Sequence, residues 1–447
     1  MSIVRAGASV VEITAPVGVA MGGYGARVGA SIGIHDPLNV RTLVLDDGNA
    51  PLVIAICDFV GVGTVIVDAA RATIRDELGI PPENVCIAAT HTHSGPLTVR
   101  TREGIDYSMV TAAKIAGSVR VALASMQEVS LKAAHTGLSG ISQNRRHPDG
   151  PIETVLKVLL AAPAGGADPV ATVINYACHA TVLEHDNLLY SADFPGAATA
   201  LVEHALGGAA IYMQGACGNI NPAWMRHDFA EVRRIGGIVG SAAARLGHEL
   251  RAVGEGQSCI NLSWSEELPV EPAPGTLLDN VSLASARTFL ELPYRSMPDL
   301  AEIDAEIASL TAQLDALSQA DIIARRTIRP RLNQLRMDRI TKERHPSSEG
   351  PTRRLEVQAF RLSPDAAIVM LPGECFVQTG KEIEQRAGIK HLFICAYAND
   401  YAGYFAPTSE WEKAGYEVGS TRFEPDAADA VADAAVSLVQ SLCGGHS

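Results

Sequence analysis

Short runs rich in Val, Ile, Leu and Ala alternate along this chain with longer Ala-rich stretches, and that alternation restricts the folds open to it. RTLVLDD, PLVIAICD, VCIAAT, TVLKVLLAA, ATVINYAC, AAIYMQG, RLEVQAFRL, AAIVMLPG and HLFICAYA each have the length and branching of a buried strand. TVIVDAARATIRDEL, MVTAAKIAGSVRVALASM, DFPGAATALVEHAL, FAEVRRIGGIVGSAAARLGHEL and DAADAVADAAVSLVQSL read as helices. Near-continuous apolar strands need cover on both faces. The pattern therefore predicts an α/β protein with packed mixed β-sheets flanked by helices. With 447 residues, 47% of them hydrophobic, the chain can bury a large core. Size alone allows one large core or two domains, no internal repeat is found, and we read residues 1–447 as a single domain.

Residues 299–345 depart from this pattern. They are highly charged, yet Leu300, Ile303, Ile307, Leu310, Leu314 and Leu317 recur three or four residues apart, forming a stripe on one helix face. Asp299 and Glu302 after Pro298 have the spacing of a capping box. A second helix from about Ile322 is expected to kink or break at Pro330. The segment predicts a helical hairpin inserted in the domain. It suits packing on the body, a lid over a site, or a homo-oligomer contact.

Charge and composition narrow the function. The net charge is −14, from 36 basic and 50 acidic residues, and Lys and Arg form no dense block. A nucleic-acid partner and an anionic membrane surface are thereby disfavoured. No run approaches the ~18 uncharged apolar residues of a membrane span. The opening MSIVRAGASVVEITAPVG reads as a first strand rather than an export signal. Eight cysteines are scattered without a CxxC pair, several inside apolar runs, as reduced buried thiols are. A cytoplasmic location is expected.

The stretch THTHSGP follows the strand candidate VCIAAT. On extended backbone, residues two apart point the same way, so His91 and His93 are expected to share a face. Alone, the pair fits two structural histidines as well as two ligands. Three more strand candidates end similarly: ATVINYAC before His179, AAIVMLPG before Glu374, and HLFICAYA before Asn399-Asp400-Tyr401 and Tyr404. Ligands in α/β proteins gather at the carboxyl ends of strands. Two imidazoles, a carboxylate and a phenol suit Zn²⁺ with room for water. Asp58, at another strand end, can stand behind the ligands or pair with Arg145. Rival motifs are weaker. The Gly29-Ala30-Ser31-Ile32-Gly33 match to a hydrolase elbow leads into a strand-like run, not a helix. His248-Glu249 lacks the second histidine of HExxH. Cys217, inside a glycine turn, reads as buried rather than nucleophilic.

THTHSGP (90–96), NRR (144–146), NYACHATVLEHDNLLYSADFPG (175–196), QGACGNINP (214–222), LPGE (371–374) and NDYAGYFAPTSEWEKAGYE (399–417) together resemble the neutral, non-lysosomal ceramidases, specifically their catalytic N-terminal domain. The openings VVEITAPVG and GIHDPLNVRTLVL fit as well, whereas 299–345 is the least familiar part. The resemblance implies a ceramidase-like zinc-dependent amide hydrolase with His91, His179, Glu374 and Tyr404 as metal ligands. It makes His93 a hydrogen-bonding or proton-transferring partner, and places Arg145 along the site near the substrate. Gly215 stands where the family carries a serine close to the zinc, which favours direct attack by water over an acyl-enzyme. A C-terminal immunoglobulin-like domain such as ceramidases append is not expected from these residues.

The activity these residues imply is hydrolysis of an amide, N-acyl or cyclic, in a small molecule by metal-activated water. In that scheme His93 relays the proton to the departing amine. Arg145 faces an oxyanion or a substrate carboxylate, and Tyr404 steadies the tetrahedral intermediate. The same site serves an ester or lactone, or a metal-binding homologue without catalysis. Ceramide itself does not follow, and with aromatics at 5% the pocket need not be a long apolar tunnel.

Overall fold

The computed structural model describes residues 3–98, 107–163, 165, 167–253, 275–318, 321–344 and 350–444. Each apolar run named above lies on a strand, and the five Ala-rich stretches form helices Thr64–Leu78, Ser108–Ala124, Asp193–Leu206, Phe229–Ala252 and Ala427–Cys443. The larger sheet runs in the order Ala209–Gln214, Ala171–Tyr176, Val155–Ala162, Gln127–Gly137, Val4–Glu12, Asn39–Asp46, Leu52–Cys57, Val85–Ala89. Its two ends pair in parallel and its middle antiparallel. The smaller sheet runs Ala284–Pro293, Thr352–Ser363, Ala366–Met370, His391–Cys395, with its last pair parallel.

Strand periodicity builds the layers. Ile54 and Ile56 point inward, with Leu43, Leu45, Val173, Ile211 and Met213, against Phe360, Ile368, Met370 and Phe393 of the smaller sheet. Val53, Ala55 and Cys57 point the other way, into a core closed by Ile66, Ala70 and Ile74 of one helix and Phe194, Ala198 and Val202 of another. The far side of the smaller sheet buries Val357, Val369 and Ile394 under Val431, Ala435 and Val439 of the last helix. The result is helix, sheet, sheet, helix: the mixed, helix-flanked α/β architecture expected. Two of the long strands carry no such apolar run. Gln127–Gly137 carries Gln, Glu, Lys and His, and Ala284–Pro293 is a partly exposed edge held by a ten-residue antiparallel register.

The larger sheet curls until strand ends far apart in its order meet. Gln214 is fully buried where they do. Its Nε2 donates to Thr90 O (3.1 Å) and Cys178 O (2.8 Å), and its Oε1 accepts from Cys178 N (3.1 Å). Ala396 N donates to Gln214 O (2.9 Å), tying in the smaller sheet. Asn175 adds a second tie, donating to both Met213 O and Ile394 O and accepting from Ile394 N. One residue thus fixes three loops that leave the carboxyl ends of three strands.

Within 299–345, helices Leu300–Ala316 and Ile322–Arg344 are present; residue 345 lies outside the described residues. Asp299 and Glu302 form the capping box. The break expected at Pro330 does not occur, and the second helix runs through it. Proline removes one backbone donor there, while buried Leu332 and Leu335 and the Arg331–Glu306 pair hold the helix just after it. The base of the hairpin rests on the short helix Tyr416–Ser420: Thr341 Oγ1 and Arg295 Nη2 both donate to Gly419 O, and Arg295 pairs with Asp338. Among the described residues no helix is long and apolar enough to cross a membrane.

Gln214→Leu keeps the volume but leaves two carbonyls and an amide without partners. It is predicted to destabilise the protein by on the order of 3 kcal/mol, read as a lower urea midpoint. An unchanged midpoint would show that Gln214 does not hold these loops.

Candidate metal centre

Past strand Val85–Ala89 the backbone does not stay extended. His91 has φ +65°, in the left-handed region, so the shared-face argument for His91 and His93 fails locally. The rings nevertheless meet, edge to face at 86° with their Nε2 atoms 3.2 Å apart. The left-handed residue turns the first imidazole inward, while His93 N, bonded to Ala180 O (3.2 Å), zips this loop to the one bearing His179. Tyr397 and Asn399, on the facing loop, also have positive φ (57° and 61°). Strain of this kind persists only where surroundings over-determine it. Here Asn399 N donates to Ile87 O (2.7 Å), its Oδ1 accepts from Ile87 N (3.0 Å), and its Nδ2 donates to Gln358 Oε1 (2.8 Å).

The three imidazoles of His91, His93 and His179 are buried, with one ring nitrogen from each within 4.8 Å of the others. Backbone carbonyls set two of the tautomers. His91 Nδ1 faces Val60 O at 2.6 Å, and His179 Nδ1 faces Cys217 O at 2.7 Å and Ile220 O at 3.1 Å. Each Nδ1 therefore carries the proton, and each Nε2 presents a bare lone pair. Those lone pairs point at Glu374 Oε2, 3.5 Å from His91 and 3.2 Å from His179. Three acceptors around one point, with no donor of their own, fit a cation. Burial, helped by the Arg145 charge, pushes the His179 imidazole down to about 4. Burial alone would raise Glu374, but attraction to His91 and His179, which acts where those rings carry a second proton or a cation stands in its place, holds the carboxyl well below its usual range. Neutral imidazole with carboxylate is the ligand state a metal requires. His93 differs. Its Nδ1 is buried without a partner among the described residues, so no carbonyl fixes its tautomer. Burial first, then the neighbouring imidazoles, lower its pKa well below 6.5.

Tyr404 reaches the cluster in two ways. Strand pairing sets Glu374–Cys375 beside Tyr404–Phe405, and Arg145 Nη2 donates to the Tyr404 hydroxyl at 2.9 Å. Arg145 is paired within the protein, as one of its two readings held. Its Nε donates to Glu417 Oε1 (2.6 Å), Nη2 also to Gly218 O (2.7 Å), and Nη1 lies 3.3 Å from Asn221 Oδ1 and 3.4 Å from His179 Nε2. Its carboxylate partner is Glu417, not Asp58. The guanidinium lies over the rings of Tyr404 and Tyr416, centroids 5.6 and 5.9 Å away. Glu417 is shared: its Oε2 accepts from Arg146 Nη1 (2.6 Å), whose Nε in turn donates to Glu410 (2.9 Å).

Other candidates sit farther back. Asp58 accepts from Asn39 N and Thr90 Oγ1, bracing the residue before His91, and burial raises it to about 6. Cys217 is buried, its Sγ 3.1 Å from the Tyr397 hydroxyl, and burial pushes its thiol up, away from nucleophilic use. The seven described cysteines are free, and Cys259 lies outside the described residues. His35 stacks on Phe229 and pairs with Asp36; Asp193 binds the Leu183 and Phe194 amides; His185 is exposed. None of the three joins the cluster. At Gly215 a Cβ would lie 2.8 Å from Ala177 Cβ and 3.1 Å from its Cα, so a serine there needs the backbone before His179 to shift. Sequence reasoning passed over Tyr397, Tyr401, Tyr416, Glu417 and Gln214. For Tyr401, Tyr416 and Glu417 the signal was present in NDYAGYFAPTSEWEKAGYE, which supplies part of the wall around the cluster.

Burial raises Glu410, but hydrogen bonds from Lys413, His147 and Arg146 prevail and hold it at about 2. A depressed carboxyl stabilises the fold fully above its ordinary 4.5, and that contribution is lost as pH falls toward 2. The stability gap between wild type and Glu410→Gln, from urea unfolding, should be large at pH ~7 and shrink by pH ~3. A gap independent of pH would contradict this.

Comparison with known proteins places the chain. Residues 5–222 match the neutral/alkaline non-lysosomal ceramidase N-terminal family. The chain is 25% identical over 397 residues to the neutral ceramidase of Pseudomonas aeruginosa, a match covering 76% of this chain and 57% of that protein's length. In three dimensions it resembles the crystal structure of neutral ceramidase from Pseudomonas aeruginosa, with TM-score 0.74 at 23% identity, covering 99% of this chain and 75% of the other. A structure of ceramidase complexed with C2 matches at TM-score 0.73 and 21% identity, with the same coverage.

Proposed function

From a chain that is similar to the neutral ceramidases in motif, family match and fold, we propose a zinc-dependent hydrolase that cleaves an amide bond, N-acyl or cyclic, in a small molecule. One observation carries this reading. Two imidazoles, each with its Nδ1 proton fixed on backbone, turn bare Nε2 atoms toward one carboxylate oxygen at 3.2 and 3.5 Å. His91, His179 and Glu374 would hold the ion, with Tyr404 as the fourth ligand. Zn²⁺ bound there supplies Lewis acidity toward a carbonyl and brings the pKa of water to about 7.

The chain's own groups do the rest. His93 is buried and neutral, so its Nε2, facing the cluster, can accept a proton from water and return it to the departing amine. Such positioned transfer contributes ~10²–10⁴-fold. Arg145, held by Glu417 and Gly218 O, keeps its charge on the Tyr404 oxygen and beside the imidazoles, where negative charge develops on an attacked carbonyl. With its N–H groups committed within the protein, Arg145 orients and polarises rather than clamping a substrate carboxylate. Gly215 offers no hydroxyl, which supports attack by water. Seven unpaired thiols among the described residues support a cytoplasmic setting.

The test is a screen of chromogenic amides and esters with zinc-loaded protein, chelator-treated protein and His91→Ala. Amide turnover should vanish with the chelator and return with zinc, and the variant should lose both metal and turnover. Turnover indifferent to zinc removal would contradict the reading; ester turnover alone would reassign the bond cleaved.

A further inference from the structure

Glu374 has two oxygens and the metal reading uses one. Oε2 faces His91 and His179. Oε1 accepts a hydrogen bond from the Tyr401 hydroxyl. That donor is placed from several sides. The Tyr401 ring stacks along Tyr397 (6.4 Å, 18°), which stacks on His91 (4.0 Å, 20°). Tyr401 N donates to Asp400 Oδ1 (2.7 Å), and Asp400 is held by Arg353. On the other side is Gly61. A Cβ there would lie 2.5–2.8 Å from Cδ2, Cγ and Cβ of Tyr401, so only glycine leaves room for the ring.

Carboxylates bind metals through one oxygen or two, and the choice sorts the metals. Ca²⁺ takes about 6–8 oxygens and often a bidentate carboxylate, and Mg²⁺ requires near-ideal octahedral oxygen coordination, whereas Zn²⁺ accepts four mixed nitrogen and oxygen ligands. An oxygen that accepts a phenol proton keeps one lone pair but is the poorer donor and is turned toward the phenol, which favours the other oxygen for the ion.

We propose that Tyr401 is a positioning residue that presents Glu374 to the metal through Oε2 alone, and so fits the site to a four-coordinate ion of the Zn²⁺ class. This rests on the metal reading of the preceding subsection. It concerns a residue that acts on the ion through Glu374.

Tyr401→Phe removes only the hydroxyl. Metal-free wild type and variant are titrated with Zn²⁺ against a chromophoric chelator, and each is loaded with Co²⁺ for visible absorption. The variant should bind zinc about 10–100-fold more weakly, the usual effect of losing a hydrogen bond behind a ligand. Its Co²⁺ bands should weaken from the intense absorption of a four-coordinate ion as the freed oxygen enters the shell. Gly61→Ala, which crowds the ring but keeps the hydroxyl, should move both readouts the same way and decides the matter if Tyr401→Phe does not fold. Thermal unfolding of the metal-free proteins monitors the fold. A variant with wild-type zinc affinity and an unchanged Co²⁺ spectrum overturns this inference alone. A wild-type chain that binds no stoichiometric zinc overturns it together with the metal reading.

Discussion

A carboxylate oxygen facing two imidazole lone pairs in a buried site is repulsive unless something positive stands between them. That is the arrangement of Glu374 Oε2 with His91 and His179, and the backbone enforces it by holding both Nδ1 protons elsewhere. The surroundings make sense as the means of keeping those three groups opposed. Gln214 clamps the loops that carry the histidines, Asn399 pins the facing loop to strand Val85–Ala89, and three non-glycine residues accept left-handed backbone to aim side chains inward. Strain and buried polar groups are concentrated where the acceptors converge, and the four layers of sheet and helix supply the rigidity that tolerates them.

A second tier of charge stands behind the first. Arg145 is oriented by Glu417, Glu417 is shared with Arg146, and Arg146 reaches Glu410. Both carboxylates lie in the 410–417 segment, whose last turn carries the base of the helical hairpin through Gly419 O. The hairpin is thus joined to the wall of the site. Its leucine stripe packs helix on helix, with Ile303 fully buried and the distal positions only partly covered. Residues 295–344 are thereby linked, through Gly419 O and the turn after Glu417, to the Arg145 side of the centre.

Much of this was legible in the sequence, for physical reasons. Strands covered on both faces must be apolar throughout, so PLVIAIC and ATVINY announce themselves; a strand held at an edge by register alone, such as Ala284–Pro293, does not. The chemistry-bearing residues were legible because four strands from two sheets deliver them at one end, and strand ends are visible as the close of apolar runs. Local conformation was not. The HxH spacing suggested extended backbone, whereas the left-handed turn at His91 sits among contacts made more than a hundred residues away, through Asn399 and Gln214. The sequence allowed Arg145 a carboxylate partner but offered Asp58, because nothing in NRR points to Glu417. Tyr401 lay in plain view but carried no sign of which carboxylate oxygen it would occupy.

The most direct test of the central claim is X-ray absorption at the zinc edge of the purified, zinc-loaded chain. The account predicts one zinc per chain with two imidazole nitrogens at ~2.0–2.1 Å and oxygen ligands at ~2.0–2.2 Å. A sulfur shell near ~2.3 Å, or zinc surrounded by oxygen alone, would contradict it.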